Sequence, residues 1–223
     1  GDGSSYDGHF KNDRPHGRGS YTYKNGDRYD GLFSNGRWDG KGNFEYASGD
    51  TYEGEMRNGR RHGRGTYTWA DGAGSYSGSW YAGQKHGRGR RIYRNGNTYE
   101  GDVVLDKLEG EGTMSYANGD VYVGDWKDSA PHGNGVMTYA YGDRYEGQFV
   151  RGVPYGRGKY TYADGDYAKG TWIKGEFTTG EVKYKYSTVL AETGVANHTA
   201  SPIAYRNPLS TSSFLEFLYF LIY

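Results

Sequence analysis

A 23-residue pattern occurs seven times in succession along this chain, and an eighth copy begins after them. Each copy reads Tyr-x-Gly, then Gly-x-Gly, then an aromatic pair, and then a turn glycine. A fixed period of this length is typical of a repeat array, in which each unit packs against its neighbours rather than around one central core. The opening tyrosines are Tyr6, Tyr29, Tyr52, Tyr76, Tyr99, Tyr122, Tyr145 and Tyr167.

Alternation within each copy predicts β-strands. In the third copy Tyr52, Gly54 and Met56 share one face of an extended chain, and Tyr67 and Trp69 do so in its second half. Helical spacing is not satisfied, and glycine at this density would destabilise a helix interior. We therefore expect two strands in every copy.

Turn sequences divide the chain into hairpins. An Asn-Gly or Asp-Gly pair between two alternating runs is a strong hairpin signal, so we expect these pairs to join successive copies by tight turns. The connection inside a copy, as at residues 58–63, is expected to be looser. The predicted fold is all-β, an elongated twisted antiparallel sheet of tandem β-hairpins. The pairs are Asn25-Gly26, Asp71-Gly72, Asn95-Gly96, Asn118-Gly119 and Asp164-Gly165.

Composition supports an ordered array. Only 34% of residues are apolar and the mean hydropathy is −0.97, which alone would favour disorder. However, 17% of residues are aromatic, and the 39 glycines fall at repeating offsets. Disordered segments are poor in aromatic residues, so we expect the rings to be buried.

The chain is predicted to have three parts. The array covers residues 1–186, with a degraded eighth copy from Tyr167 as its cap. Residues 187–213 read as a linker, and the apolar residues 214–223 read as a short helix, too short to span a bilayer. We expect this last segment to cover the aromatic face, or to anchor a partner or membrane. Its candidate contacts are Phe214, Phe217, Leu218 and Leu221.

The copies closely resemble the MORN repeat (membrane occupation and recognition nexus), as in YEGEMRNGRRHGRGTYTWADG at residues 52–72. The resemblance covers about residues 3–186. It implies an elongated, twisted antiparallel sheet with one hairpin per repeat. It also implies a non-enzymatic role, either as a scaffold in cilia, cell-division structures or membrane junctions or as a regulatory region attached to an enzyme. Some members have been linked to phospholipid binding.

No residue pattern indicates catalysis or a cofactor. His16, His62, His86 and His132 share one offset in their copies, so neighbours would lie two strands apart, roughly 9.5 Å. That is too far to share one zinc ion, and we expect them to be loop residues. The chain has no Cys and no P-loop sequence, and its zero net charge gives no indication of nucleic-acid binding.

Two sets of residues are candidate contacts. Basic side chains inside Gly-x-Gly could form a row for anionic lipid or an acidic partner, or simply a solvated edge balanced by nearby acids. Aromatic residues outside the pattern are better candidates for partner contacts than the regular ones, because the fold does not obviously require them. The basic set is Arg18, Lys41, Arg64 and Arg88, and the aromatic set is Trp38, Tyr81, Tyr141 and Tyr155.

These observations predict a non-enzymatic scaffold that holds protein partners in a larger cytoskeletal, ciliary or membrane-adjacent assembly. Alternatives are a phosphoinositide- or membrane-binding adaptor, or the regulatory region of a longer lipid kinase or SET-domain methyltransferase. Without Cys or a recognisable signal peptide, a cytoplasmic location is expected. Repeated strand edges would also allow a homodimer.

Overall fold

The computed structural model describes residues 3–184 and the backbone of residues 187–191. This part of the chain contains strands, turns and bends but no helix. The chain divides into two compact units, Gly1–Lys107 and Leu108–Tyr223.

In the first unit each strand pairs antiparallel with the next one along the chain, from β1 to β9. The strands are β1 Ser5–Lys11, β2 Arg14–Thr22, β3 Arg28–Ser34, β4 Arg37–Glu45, β5 Thr51–Arg57, β6 Arg60–Trp69, β7 Gly74–Tyr81, β8 Gln84–Tyr93 and β9 Thr98–Val104.

The second unit has the same sequential antiparallel order, from β10 to β17. The predicted class, an all-β array of tandem hairpins, is therefore confirmed. The strands are β10 Lys107–Ser115, β11 Val121–Lys127, β12 Ala130–Thr138, β13 Arg144–Val150, β14 Val153–Thr161, β15 Tyr167–Ile173, β16 Glu176–Tyr184 and β17 Ser187–Ala191.

The core of each unit is a layer of rings lying over a row of glycines. Neighbouring strands pair glycine with glycine, as where Gly54 faces Gly65 and Gly65 faces Gly78. Tyr52, which is 0% exposed, lies over this row. A Cβ at Gly54 would come 2.7 Å from the Tyr52 hydroxyl oxygen, so only glycine fits beneath the ring.

The first glycine of Gly-x-Gly has a different role. The register shifts by a β-bulge after Gly54, and Gly63 on the opposite strand has a φ of +58°, in the left-handed region that favours glycine. The hydroxyl of Tyr52 donates a hydrogen bond to the carbonyl of Glu55 at this bulge (2.8 Å). The repeated tyrosine thus packs the core and also donates a hydrogen bond to the backbone at the bulge.

The two kinds of connection are the reverse of the sequence prediction. The tight two-residue turns lie within the copies, as at Asn58-Gly59, where both residues have positive φ (51° and 76°), as a type I′ turn requires. The predicted Asn-Gly and Asp-Gly pairs instead lie in longer loops between copies. In the Tyr23–Asp27 loop, the N–H of Tyr23 donates to the carbonyl of Asp27 (2.8 Å).

Hydrogen bonds also join each copy to the next at both ends of the strands. At the tight turns, the N–H of Gly36 donates to the carbonyl of Pro15 (2.9 Å). At the longer loops, the side chain of Asp50 accepts from the N–H of Ala70 in the following loop (2.9 Å) and from the hydroxyl of Tyr67 (2.6 Å). The hydrogen bond from Tyr67 is the largest cause that lowers the pKa of Asp50.

The eighth copy begins one residue later than the sequence predicts. Ala168, not Tyr167, takes the place of the opening tyrosine, because it is buried and pairs with Tyr160 as Tyr145 pairs with Met137. Tyr167 points to the other face, where its hydroxyl donates to Glu181 (2.7 Å). The copy-to-copy interval therefore stays at 23 residues, and the tyrosine is replaced by alanine.

The predicted linker also begins differently. Ser187–Ala191 forms β17, which pairs antiparallel with β16. The segment contains Thr188 and Val189, and β-branched residues favour strands. The remainder of the predicted linker and the predicted helix at residues 214–223 lie outside the described residues.

Candidate functional site

In each unit the strands present two faces with different side chains. We call the side that carries the opening tyrosines the tyrosine face and the other side the opposite face. Strand alternation sends the middle residue of each Gly-x-Gly to the opposite face, where the four predicted basic residues are exposed. These are Arg18, Lys41, Arg64 and Arg88, all in the first unit.

Acidic neighbours partly neutralise this basic row. Arg88 forms an ion pair with Asp102 (3.3 Å), and Lys41 lies directly across from Glu55 on the adjacent strand. Arg64 lies across from Ser79. The row is thus a line of exposed cations in which two of four positions face a carboxylate.

Trp38 belongs to the packing of the fold, contrary to the prediction that the fold does not require it. It pairs across the strands with Phe33 on the tyrosine face. Its ring stacks on Tyr29 at 5.2 Å and meets Phe44 edge-on at 4.8 Å. A residue that pairs across the strands with a buried aromatic residue belongs to the core layer. The sequence of a single copy does not show that Trp38 pairs with Phe33.

The other three predicted aromatic contacts are exposed. Tyr81 is 56% exposed and Tyr155 is 44% exposed, both at strand positions on the opposite face. Tyr141 is 61% exposed in the loop before β13, where its ring stacks on Tyr139 at 5.3 Å. Each of these side chains therefore leaves a large part of its aromatic surface exposed.

The repeated histidines lie in strands rather than in loops. His62 and His86 flank Tyr81, with ring centroids 5.5 and 5.7 Å from it. Across residues 3–184 and 187–191, no group of three or more His, Asp or Glu side chains is arranged to hold a metal ion.

A cluster of cations on the tyrosine face is not predicted from the sequence. The guanidinium of Arg61 lies 4.4 Å from the centre of the Trp80 ring, and that of Arg91 lies 3.6 Å from the centre of Trp69. The Lys85 ammonium lies 5.8 Å from the same Trp69 ring. We call Arg61, Lys85, Arg91 and Trp69 the cation–aromatic cluster. Its signal in the sequence is a basic residue at repeat positions that are neutral in the other copies.

The surroundings of this cluster disfavour the charged forms of Lys85 and Arg91. Burial is the largest cause that lowers the pKa of Lys85, and Arg91 and Arg61 lower it further because they carry like charge. The ion pair with Asp106 (3.5 Å) acts in the opposite direction. Burial also lowers the pKa of Arg91. The three cations are therefore close enough to repel one another while being partly removed from water.

The described residues contain no helical segment with the length and hydropathy that a membrane span requires. The predicted contacts Phe214, Phe217, Leu218 and Leu221 lie outside the described residues.

Comparison with protein families gives seven consecutive matches to the MORN repeat. They start at the same seven tyrosines as the sequence pattern and end before Ala168, in agreement with the register of the eighth copy. The matches cover residues 6–28, 29–51, 52–74, 76–98, 99–121, 122–144 and 145–167.

Among solved structures, the chain is similar to the TCP domain of SAS-4 (dCPAP) from Drosophila melanogaster in complex with a proline-rich motif of Ana2 (dSTIL). The identity is 16% and the TM-score 0.45, over 70% of this chain and 84% of that one. The TCP10 domain of Danio rerio CPAP matches with 13% identity and a TM-score of 0.42, over 75% of this chain and 78% of that one. Both TM-scores mark a limited similarity. Curated protein sequences give no significant match.

Proposed function

Because this chain belongs to the MORN-repeat family, we propose that it is a non-catalytic scaffold that binds protein partners in a larger assembly. The supporting observation is the difference in exposure between repeated and unrepeated aromatic residues. Tyr52 and the opening tyrosines of five other copies are buried, whereas Tyr81 and Tyr141 are 56% and 61% exposed. Exposed tyrosines are enriched at protein interfaces, where they supply contact area at a low cost in conformational entropy.

In this proposal the repeated residues build the sheet and the unrepeated ones select partners. Tyr81 is the proposed partner contact of the first unit, and Tyr141 and Tyr155 are those of the second. The apolar residues 214–223 supply a further contact, as the sequence predicts. We expect the assembly to be cytoplasmic and cytoskeletal, ciliary or membrane-adjacent, in keeping with the family.

The test is affinity purification of the full chain with cross-linking mass spectrometry, using the variant Tyr81→Ser, Tyr141→Ser and Tyr155→Ser. We expect the variant to lose at least one partner while its thermal midpoint stays unchanged. The matched control is Val104→Ser, Val123→Ser and Ile173→Ser, three exposed apolar residues that should be dispensable. The proposal is wrong if the native chain captures no stable partner, or if the two variants lose the same partners.

A second candidate function is binding to an anionic membrane surface. Its support is that Arg18, Lys41, Arg64 and Arg88 are all exposed on one face of the first unit. Basic residues near an anionic surface each contribute about 1 kcal/mol, and this attraction weakens with salt.

Sedimentation with phosphoinositide-containing vesicles across a salt series tests this candidate. Arg64→Glu with Arg88→Glu should abolish binding, whereas Arg151→Glu with Arg157→Glu, which makes the same charge change at exposed positions in the second unit, should not. Binding that ignores salt, or that both pairs of substitutions weaken equally, would exclude the basic row as the cause.

A further inference from the structure

The cation–aromatic cluster replaces neutral residues of the repeat. Arg61 and Lys85 are each the second residue after a tight turn, and they lie across from a buried residue, Met56 and Trp80 respectively. Arg91 occupies the first position of the aromatic pair. In the other copies the position of Arg61 and Lys85 holds Pro15, Trp38, Leu108, Pro131, Pro154 and Phe177, and the position of Arg91 holds Tyr21, Phe44, Tyr67, Met114, Met137, Tyr160 and Val182. The repeat fold therefore does not need charge at either position.

Lys85 forms an ion pair with Asp106 (3.5 Å), but the two arginines of the cluster lack the counter-ions that partly buried charges normally have. Arg61 donates to the carbonyl of Gly83 (2.9 Å) and Arg91 to the carbonyl of Ala73 (3.2 Å). Within residues 3–184, neither guanidinium forms an ion pair with a carboxylate, and Nη1 of Arg91 is buried with no hydrogen-bond partner. Contact with the Trp80 and Trp69 rings offsets part of the cost of desolvating these charges, and a bound carboxylate would offset more of it.

We propose that the cation–aromatic cluster binds an acidic segment of a partner protein, in which carboxylates alternate with apolar side chains. The proposal rests on the scaffold function and names the chemistry of one partner. Each guanidinium has unused donors in a planar arrangement that matches a carboxylate. The surrounding rings, Trp69, Tyr67 and Tyr93, are contacts for the apolar side chains between the carboxylates.

The position of the cations favours a peptide over a membrane. Arg61, Lys85 and Arg91 are half-buried between rings on the tyrosine face, whereas Arg64 and Arg88 are exposed on the opposite face. A flat bilayer surface is contacted by basic side chains that protrude from the protein. A narrow polypeptide can place single carboxylates between aromatic side chains.

A random short-peptide array probed with the labelled full chain tests this proposal. Peptides that bind the native chain should be enriched in Asp and Glu, with apolar residues beside them. In solution, the best of them should bind about tenfold or more weakly to Arg61→Gln, Lys85→Gln, Arg91→Gln, since a hydrogen bond to a charged group is worth roughly 1.5–3 kcal/mol. The control Arg18→Gln, Arg64→Gln, Arg88→Gln removes three positive charges from the opposite face and should retain binding.

Two further measurements separate binding from folding. The three single Gln variants are assayed alongside Arg61→Lys with Arg91→Lys, and only variants with the native thermal midpoint are compared. Each folded single Gln variant should bind the peptide more weakly than the native chain does. The double Lys variant should bind it more tightly than the triple Gln variant does. Vesicles of phosphatidylcholine and phosphatidylserine are assayed as competitors and should not displace the peptide.

Three results would overturn the inference. They are an array with no acidic enrichment, equal loss of binding in both triple Gln variants, and displacement of the peptide by the anionic vesicles. Each leaves the scaffold proposal standing if affinity purification still recovers partners. Conversely, a native chain that captures no partner protein but binds acidic peptides through this cluster would contradict the scaffold function alone.

Discussion

At the scale of single residues, the two glycines of each Gly-x-Gly have different physical roles. In the second copy Gly40, with a φ of +105°, lies at the bulge, whereas Gly42 lies directly beneath the Tyr29 ring. Tyr29 in turn donates its hydroxyl hydrogen to the carbonyl of Leu32 (3.0 Å). One glycine is needed for its backbone conformation and the other for its lack of a side chain.

Gly42→Ala should therefore destabilise the protein strongly. The added Cβ would lie 2.5 Å from Cζ of Tyr29, and the ring cannot retreat because it is fully buried. Overpacking of this kind costs about 1–3 kcal/mol, which chemical denaturation can measure.

A double-mutant cycle supplies the control for this prediction. In the background Tyr29→Leu, which removes the ring, Gly42→Ala should cost much less than in the native chain. Equal costs in both backgrounds would show that the glycine is required for some reason other than the tyrosine ring.

At this scale, the sequence predicts only some of the residues of the candidate site. Tyr81, Tyr141 and Tyr155 depart from the repeat and are exposed, as departure from a buried pattern suggests. The same reasoning fails for Trp38, because cross-strand pairing places it in the ring layer. It also misses Arg61, because a basic residue in a sequence reads as solvated unless its cross-strand partner is known.

At the scale of elements, the tight turns inside the copies impose positive φ on residues poorly suited to it. Leu105 has a φ of 49° and is 51% exposed, so its side chain gains little by burial. Asparagine tolerates this conformation better than other residues except glycine, and Asn at the first position is favoured in type I′ turns.

Leu105→Asn should stabilise the first unit by about 0.5–1 kcal/mol, because it relieves this backbone strain. The unfolding free energy in denaturant measures the gain. Val104→Asn is the matched control, since it makes a similar change one residue earlier in β9, where asparagine is unfavourable. Stabilisation by both substitutions, or by neither, would contradict the assignment of the turn.

The loops between copies depend on aspartates that accept hydrogen bonds from the next loop. The lowered folded-state pKa of Asp50 means that its contribution is fully present above the ordinary value of 3.8 and is lost as the pH falls through the folded value. Asp50→Asn should therefore destabilise the protein at neutral pH and have less effect in strong acid. Urea titrations at both pH values measure this, and an equal loss at both would rule out a role for the carboxylate charge.

At the scale of the whole molecule, buried phenols dominate the response to pH. The chain has 25 tyrosines, and burial raises the pKa of Tyr23 and Tyr76 to about 12 from an ordinary value of 10.0. Burial also raises the pKa of Tyr29, Tyr52 and Tyr99. These phenols can ionise near the ordinary pKa of 10.0 only after their rings become exposed to solvent.

A raised folded-state pKa contributes stability that is present below pH 10 and is lost as the pH rises towards the folded value. We therefore expect the sheet to unfold cooperatively in alkali, between the ordinary value of 10.0 and about 12 for Tyr23 and Tyr76. The circular dichroism signal and the larger part of the phenolate absorbance, recorded together, should change in one transition. Ionisation of most phenols near pH 10 with the sheet intact would contradict burial of the rings.

The sequence predicts the strands and the copy boundaries well because the same packing requirement recurs in every unit. It misassigns the turns because Asn-Gly pairs occur in both kinds of connection, at Asn25-Gly26 and at Asn58-Gly59. It also misplaces the eighth copy, because Tyr167 is a tyrosine one residue away from the position that needs one. Register, which only pairing reveals, decides both cases.

The most direct test of the separation between folding and binding is one mutational scan with two readouts. Every position is substituted, and each variant is scored for resistance to proteolysis and for binding to the partner recovered by affinity purification. Positions needed for stability should recur at the 23-residue period. Positions needed for binding alone should include Tyr81, Tyr141 and Tyr155 and should not recur. Binding-only positions that repeat in every copy, or a scan in which those three tyrosines are neutral, would contradict it.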